Sequence, residues 1–408
     1  MAGRVVFSLI KTVSISELNN ILDEQRSKFI ANEKPGSNYV LPIKSTANNA
    51  VEVYRVNYLS EIPEKPGRRI SATGMLALPV LSGTKKAIPL IAYQHGTVFG
   101  KNQVPSLSFV KDENLPNQYP HYESSYETRY MVGLFAGNGY ALMAADYYGL
   151  GGSSNSPEAY FVKGSTQQAN YDLYLGVSEF LTHRGTPHRE LFLGGWSQGA
   201  LNTTGFLEKL ESSGVKVSGT FTAANPSDPF AAFNGLLYHP RVGLDAPWTC
   251  TLLALSVFSY ENYYGKKDLG REVINPKYYS ALKSIYNRSY GDPENLSKFL
   301  VDNASVPLVQ FFRQEYQNPA YLAKSSYGKL LAANETYRQE FKSPTVTYYG
   351  TVDEVIQVGI GQLASLYQGI LSDESKVRAQ QVDGATHRLT FINAAADSKM
   401  WMDALLAH

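Results

Sequence analysis

Apolar and polar residues follow one another along the first half of this chain in blocks that alternate between strand and helix patterns. Short apolar or alternating runs predict strands at residues 51–58, 71–81, 88–93, 140–145, 191–193 and 215–223. Between them, apolar residues at helical spacing predict helices at residues 16–29, 127–136 and 168–183, and another helix beginning at Ser197. This alternation favours an α/β fold, in which a mostly parallel central sheet opens with an antiparallel pair and is flanked by helices on both faces.

The pattern changes after residue 225, where strand signals fade and helical spacing dominates. Helices are predicted at residues 251–263, 276–286, 294–301, 308–314 and 327–341. Strands resume at 344–350 and 377–382, and a last helix is predicted at 389–406. We therefore expect residues 226–343 to be a helical cap inserted into a core domain. That core comprises residues 1–225 and 344–408, and residues 1–50 form its helical lead-in.

The charges of the chain nearly balance, since 37 Lys and Arg residues face 36 Asp and Glu residues. A net charge of +1 gives no reason to expect a nucleic acid or an anionic membrane as partner. No apolar run reaches the roughly 18 residues of a membrane-spanning helix, so no membrane span is expected. Residues 5–10 are too few for the core of a signal peptide. The chain is therefore either cytoplasmic or exported with its signal already removed, and nothing in it sets the oligomeric state.

The single cysteine, Cys250, excludes an internal disulfide and any cysteine-based metal site. Because its neighbours are apolar, the sequence predicts a buried and unreactive thiol. The His, Asp and Glu residues show no cluster with the spacing of metal ligands. We therefore expect neither a metal nor a cofactor.

The pentapeptide at residues 195–199 carries the strongest chemical signal. It reads Gly-Trp-Ser-Gln-Gly, follows a short apolar strand pattern and precedes a helix pattern. A G-x-S-x-G pattern in that context is typical of a nucleophile elbow, a tight turn that exposes the serine hydroxyl. The glycines permit the close packing that such a turn needs. Ser197 is therefore the candidate nucleophile, with an ordinary turn as the alternative interpretation.

A serine nucleophile needs a base, commonly a histidine that is oriented by a carboxylate. In a strand–turn–helix architecture the order along the chain is Ser, then the acid, then His. Of the histidines after Ser197, His239 lies early in the predicted cap and His408 is the last residue. His387 instead lies in a glycine-containing loop after the strand predicted at 377–382, which favours it as the base.

The orienting acid is expected just after the strand predicted at 344–350. Asp353 is our candidate, and Glu354 is the alternative one residue later. The separation 387 − 353 = 34 residues between Asp353 and His387 leaves room for one helix and one strand.

The negative charge of an acyl-transfer intermediate needs two backbone N–H donors, one after the nucleophile and one in the loop after an earlier strand. Gln198 is the expected first donor. Thr97, which follows the strand predicted at 88–93, is the second. His95, in the same loop, is predicted to hold the loop rather than to act as a base.

Asp146 ends the strand predicted at 140–145, at the edge of the sheet where catalytic groups gather. It either orients the oxyanion loop or contacts substrate, or it caps the turn at residues 149–152, and we favour the cap. Residues 98–125 are polar and rich in turn-forming residues, and a loop of this length is expected to be functional.

Three segments together resemble the α/β-hydrolase superfamily and, more loosely, its secretory-lipase branch. They are Tyr-Gln-His-Gly-Thr at 93–97, Asp-Tyr-Tyr-Gly-Leu-Gly at 146–151 and Gly-Trp-Ser-Gln-Gly-Ala at 195–200. The resemblance implies an exported esterase or lipase that works without cofactor or metal. It also implies these roles: nucleophile Ser197, acid Asp353, base His387, oxyanion donors Thr97 and Gln198, and substrate or loop support from His95, Asp146 and Trp196.

The expected function is therefore that of a serine hydrolase, which cleaves small-molecule carboxylic esters through an acyl-enzyme. The alternative on the same scaffold is a serine peptidase or aminopeptidase, because the same three residues serve either reaction. A non-catalytic binding module is a third hypothesis, and the presence of all three candidate residues disfavours it.

Overall fold

The computed structural model describes residues 5–82, 87–110, 127–290, 293–372 and 376–407. These residues contain nine strands, which form a single sheet. The strands are β1 (Val6–Val13), β2 (Val51–Glu61), β3 (Arg69–Pro79), β4 (Ile88–Gln94), β5 (Ala141–Ala145), β6 (His188–Trp196), β7 (Gly219–Ala223), β8 (Thr345–Gly350) and β9 (Val377–Val382). Their order in the sheet is β1-β2-β3-β5-β4-β6-β7-β8-β9. Pairing is antiparallel from β1 to β5 in this order, and parallel from β5 to β9.

The α-helices of the described residues lie mostly between these strands. They are α1 (Ile15–Ile30), α2 (Glu127–Leu134), α3 (Lys163–Arg184), α4 (Gln198–Ser212), α5 (Pro229–Tyr238), α6 (Cys250–Tyr263), α7 (Leu269–Val273), α8 (Tyr279–Asn287), α9 (Pro293–Asp302), α10 (Pro319–Lys324), α11 (Ser326–Ala333), α12 (Val358–Leu371) and α13 (His387–Leu406).

Helices cover both faces of the sheet and enclose two cores. On one face α1, α2 and α13 contact one another, and Phe391 of α13 packs with Ile91 of β4. On the other face α3 packs against α4, α12 covers β8 and β9, and Leu207 of α4 shares a core with Leu90 and Ala92. Successive side chains of a strand point to opposite faces. A strand buried on both faces is therefore mostly apolar, as β4 shows, with the polar Gln94 only at its end.

The strands predicted from the sequence are all present, including the antiparallel pair, which is β2 and β3 with Val51 opposite Pro79. The sequence pattern does not predict β1. This strand lies at the edge of the sheet and leaves most of its side chains partly or fully exposed. Its apolar residues therefore lack the clean alternation of a half-buried strand.

Two helices predicted between residues 226 and 343 are wrong in extent. At 308–314 the chain instead forms two 3-10 turns, because Phe312 between them is extended and pairs with Ile274. The helix predicted at 327–341 ends at Ala333, since the N–H of Thr336 donates to the carbonyl of Ser227 at 2.9 Å. The remaining predicted helices correspond to α6, α8 and α9.

The segment between β7 and β8 contains α5 to α11 and buries many of its aromatic side chains. Tyr260, Tyr263 and Tyr286 are all less than 5% exposed. Cys250, at the start of α6, is buried as predicted, and burial raises the pKa of its thiol to about 12. This segment has its own apolar interior, which is continuous with the core on the α3–α4 face.

Two features predicted from the sequence fall partly or wholly outside the described residues. Of the loop predicted at 98–125, residues 111–125 lie outside them, and so does His408. Across the ranges that the structure describes, no helix combines the length and the apolar character that crossing a membrane requires.

Gly199 lies where α4 comes closest to β4. A Cβ atom at this position would lie 1.9 Å from the main-chain oxygen of Gln94, which cannot move without disturbing the sheet. We expect Gly199→Ala to lower the free energy of unfolding by about 3 kcal/mol or more, measured by chemical and thermal denaturation. Gly369→Ala in α12 is the matched control, because its Cβ would meet no described atom within 4 Å. That change should stabilise the protein by up to about 1 kcal/mol, and equal stability of both variants would contradict the prediction.

Candidate active site

Ser197 occupies a strained turn between β6 and α4. Its backbone has φ 59° and ψ −124°, a region that residues with a side chain rarely adopt. The turn is held because the N–H of Ser197 donates to the carbonyl of Ala223 at the end of β7, at 2.9 Å. A Cβ on Gly195 would lie 2.3 Å from the hydroxyl oxygen of Thr203. Strand, strained serine and helix thus follow one another as the sequence predicts.

Asp353 and His387 lie close together at the carboxyl ends of β8 and β9. The Nδ1 atom of His387 lies 3.0 Å from Oδ2 and 3.1 Å from Oδ1 of Asp353. Asp353 is itself fixed, because Oδ1 accepts the N–H groups of Val355 at 2.8 Å and Ile356 at 2.7 Å. His387 is the first residue of α13, with Thr386 as its N-cap, rather than a loop residue as the sequence suggested.

Glu354 and Trp196 hold the main chain of His387. The N–H of His387 donates to Oε2 of Glu354 at 3.0 Å, and Nε1 of Trp196 donates to the carbonyl of His387 at 3.0 Å. The Trp196 ring also lies 5.0 Å from the imidazole, centroid to centroid. Glu354, the alternative acid, therefore contacts the backbone of His387, whereas Asp353 contacts its ring.

Burial and the neighbouring carboxylates shift the pKa of His387 in opposite directions. Burial lowers the pKa of His387, but the charge and hydrogen bond of Asp353 outweigh it, helped by Glu354 and Glu33. The net result is a pKa above the ordinary value for histidine. A histidine in this state accepts a proton readily near neutral pH.

The loop after β4 brings Thr97 to the same site. Nδ1 of His95 lies 2.8 Å from the carbonyl oxygen of Gly96. In a trans peptide the carbonyl and the following N–H point in opposite directions, so this contact also fixes the direction of the Thr97 N–H. The Thr97 hydroxyl lies 2.8 Å from the hydroxyl of Tyr160. Gln198 is the first residue of α4, and the N–H of a first helical residue has no carbonyl acceptor within its own helix.

His95 is buried and stacks on Tyr147 at a centroid distance of 4.2 Å. The Tyr147 hydroxyl donates to the His95 carbonyl at 3.0 Å. Burial lowers the pKa of His95 to about 4, so its ring is neutral near pH 7. Through these contacts His95 joins the loop after β4 to the residues that follow β5.

Asp146 is fully buried and connects two loops and a strand. Its carboxylate accepts from the Ser106 N–H at 2.9 Å, from the Ser106 hydroxyl at 2.5 Å and from the Thr73 hydroxyl at 2.5 Å. The predicted cap of the turn at 149–152 is wrong, because none of the described hydrogen bonds of the Asp146 carboxylate reaches that turn, and the Gly152 N–H donates to the Thr73 hydroxyl at 2.7 Å instead. Burial raises the pKa of Asp146.

Glu127 is a residue of the site that the sequence did not reveal. Its carboxylate accepts the N–H of Gly96, and it lies at the start of α2, on the wall of the cavity described below. Burial raises the pKa of Glu127 to about 8. The sequence places Glu127 only at the start of a predicted helix. That position does not predict its contact with Gly96, which lies 31 residues away along the chain.

A cavity of about 510 Å³ lies beside these groups, and Asp353 is not among the residues that line it. Thr97, Ser197 and His387 all line it, whereas Asp146 and Gln198 do not. Its apolar walls come from the loop after β4 and from the segment between β7 and β8: Val98, Phe99, Val104, Trp248, Leu296 and Leu300. Glu33, Glu127, Glu354 and Arg388 also contribute to the lining. Within the described ranges, no group of three or more His, Cys, Asp or Glu side chains is arranged to hold a metal ion.

Comparison with protein-family models and with curated protein sequences gave no match. Among solved structures, a ligand-bound form of the rice cell wall degrading esterase LipA from Xanthomonas oryzae is similar, with a TM-score of 0.74 at 15% identity. The match covers 99% of this chain and 98% of LipA. Candida antarctica lipase A has a TM-score of 0.64 at 14% identity, over 98% of this chain and 82% of the lipase. At such identities the likeness establishes the fold, and the chain has the α/β-hydrolase fold predicted from its sequence.

Proposed function

We propose that this protein is a serine hydrolase that cleaves carboxylic esters through an acyl-enzyme. The observation that carries the proposal is the hydrogen-bonded pair of Asp353 and His387 beside a cavity that Ser197 also lines. Ser197 has the strained backbone of a nucleophile elbow. The similarity of the fold to LipA and to Candida antarctica lipase A adds support from two proteins whose names describe an esterase and a lipase.

In the proposed reaction the hydroxyl oxygen of Ser197 attacks the ester carbonyl carbon while Nε2 of His387 takes the hydroxyl proton. Asp353 stabilises the imidazolium that forms and keeps Nδ1 protonated. The N–H groups of Thr97 and Gln198 stabilise the oxyanion. His387 then gives its proton to the leaving alcohol, and it activates a water molecule that releases the acid and restores Ser197.

We propose residues 226–343 as a cap over this site, and its described side chains favour esters over peptides. The residues of this segment that line the cavity are Pro247, Trp248, Leu296, Ser297, Leu300, Val301 and Ala304. They carry no charge, whereas capture of a peptide terminus would need a carboxylate or a cation. An apolar wall is suited to an acyl chain.

The first test compares nitrophenyl esters of increasing acyl length with an amino-acid anilide. We expect ester hydrolysis and no anilide cleavage, because the apolar wall binds an acyl group and the lining residues from the segment between β7 and β8 carry no charge to bind a peptide terminus. Release of nitrophenol and of nitroaniline is followed by absorbance. Anilide cleavage without ester hydrolysis would support the peptidase, and no activity on either would support the binding module.

The second test removes the proposed nucleophile and base. Ser197→Ala and His387→Ala should each lower kcat/KM on the best ester by about 10³-fold or more, because the hydroxyl is a poor nucleophile without its base. His239→Ala is the matched control, since His239 is exposed and should leave kcat/KM unchanged. Circular dichroism verifies folding. Full activity in the Ser197 variant would exclude Ser197 as the nucleophile.

The third test uses the pH dependence of kcat/KM. His387 must be neutral to take the proton, so activity rises with pH through its pKa. Because Asp353 raises that pKa, the midpoint of the acid limb should lie above 6.5, the ordinary value for histidine. Asp353→Asn should lower the midpoint and reduce kcat, whereas Asp268→Asn on the surface should change neither. A wild-type midpoint at or below pH 6.5 would contradict the assignment.

A further inference from the structure

A buried ion pair joins the segment between β7 and β8 to the rest of the chain. Nη2 of Arg288, directly after α8, lies 2.6 Å from Oε2 of Glu158. The side chains of Arg288 and Glu158 are only 6% and 2% exposed. Burying two charges has a large desolvation cost, which the attraction within the pair offsets only when further hydrogen bonds are made. The further hydrogen bonds of Arg288 therefore indicate which part of the structure this ion pair stabilises.

Those contacts lead to the loop that carries Thr97. Nη2 of Arg288 donates to the carbonyl of Val98 at 2.9 Å, and Nε donates to the carbonyl of Phe99 at 3.1 Å. The Tyr290 hydroxyl donates to the same Phe99 carbonyl at 3.1 Å. Val98 and Phe99 directly follow Thr97. One guanidinium thus fixes two consecutive carbonyls of the loop, which its planar array of donors allows.

The backbone of Arg288 gives a second, independent observation. It has φ 55° and ψ 37°, the left-handed conformation that glycine or asparagine usually occupies at the end of a helix. Such strain in a residue with a long side chain persists when other interactions require that side chain. Here Nη1 also donates to the Tyr286 carbonyl at 2.7 Å, which fixes the guanidinium against the end of α8.

The opposite side of the same loop is held by the core. His95 contacts the Gly96 carbonyl, and Glu127 accepts the Gly96 N–H. The Thr97 peptide therefore lies between one anchor made by the sheet domain and another made by Arg288. Without the Arg288 anchor the Thr97 peptide is held from one side alone, so we expect its N–H to be aimed less consistently at the position of the oxyanion.

We propose that Arg288 is a positioning residue for the oxyanion hole, through its hydrogen bonds to Val98 and Phe99. This inference rests on the proposed function, because it assigns Arg288 a part in the same reaction. Arg288 does not line the cavity, so it acts through the loop and not on the substrate. The segment between β7 and β8 thereby contributes to the chemical step as well as to the cavity wall.

The test uses two variants that separate positioning from folding. Arg288→Lys keeps a positive charge beside Glu158, but one ammonium group cannot replace the planar fork that binds both carbonyls. The double variant Arg288→Met with Glu158→Gln removes both charges, so neither is left buried without its partner. Arg271→Met is the control, since Arg271 also lies in this segment but is 68% exposed.

We measure kcat and KM on one short and one long nitrophenyl ester, per active site titrated with a phosphonate ester. Loss of an oriented oxyanion donor lowers kcat, so we expect about a ten- to hundredfold fall in kcat for both esters. KM should stay within about twofold of wild type, because ground-state binding is unchanged. The Arg271 variant should match wild type, and thermal unfolding is recorded for every variant.

Three results would overturn the positioning role. The first is unchanged kcat per titrated site in both test variants, even with reduced thermal stability, which would make the ion pair purely structural. The second is a rise in KM confined to the long ester, which would mean that Arg288 only shapes the cavity wall. The third is an equal fall in kcat for Arg271→Met. A wild type that neither hydrolyses esters nor reacts with the phosphonate would instead overturn the proposed function itself.

Discussion

The tight turn at Ser197 is the constraint on which the rest of the structure depends. A backbone with φ 59° at a residue with a side chain costs of the order of 1–3 kcal/mol, and it persists only where surrounding packing enforces it. Here the Ala223 carbonyl, at the end of β7, accepts the N–H of Ser197. The absence of a side chain at Gly199 lets α4 approach Gln94 of β4. Because β6 lies between β4 and β7, one neighbouring strand binds the turn and the other leaves room for the helix that follows it. The strained residue therefore depends on the middle of the sheet.

Buried carboxylates that accept backbone N–H groups hold the loops around this turn. Asp353 accepts two such groups, Glu354 accepts that of His387, Glu127 accepts that of Gly96 and Asp146 accepts that of Ser106. A carboxylate at such a place fixes a loop that lacks regular hydrogen bonding. Burial of these groups has a cost, since it raises the pKa of both Glu127 and Asp146. These carboxyl groups thus supply the loops with hydrogen-bond acceptors that regular secondary structure does not provide there.

The sequence could predict those parts of the site that follow from local pattern. Ser197, Asp353 and His387 each follow a strand whose apolar run is readable, and parallel strands bring their carboxyl ends to one edge of the sheet. The edge strand β1 escaped prediction because its side chains are largely exposed. Glu127 escaped for a different reason, because its partner lies 31 residues away and no local pattern records a contact between a side chain and a distant N–H group. Tertiary contacts of that kind decide the details of the loop after β4, and they require the folded chain.

The segment between β7 and β8 both lines the cavity and binds the loop after β4, and different residues make these two sets of contacts. Leu296 and Leu300 lie one helical turn apart in α9 and line the cavity, whereas the neighbouring contacts of Arg288 reach the main chain of Val98 and Phe99. Side chains on the wall can change in size without altering hydrogen bonds to a backbone. The shape of the cavity wall and the geometry of the loop after β4 therefore depend on different residues of this one segment. A helical segment that only covered the site would not need a buried arginine, and in our proposal this arginine connects the segment between β7 and β8 to the chemical step.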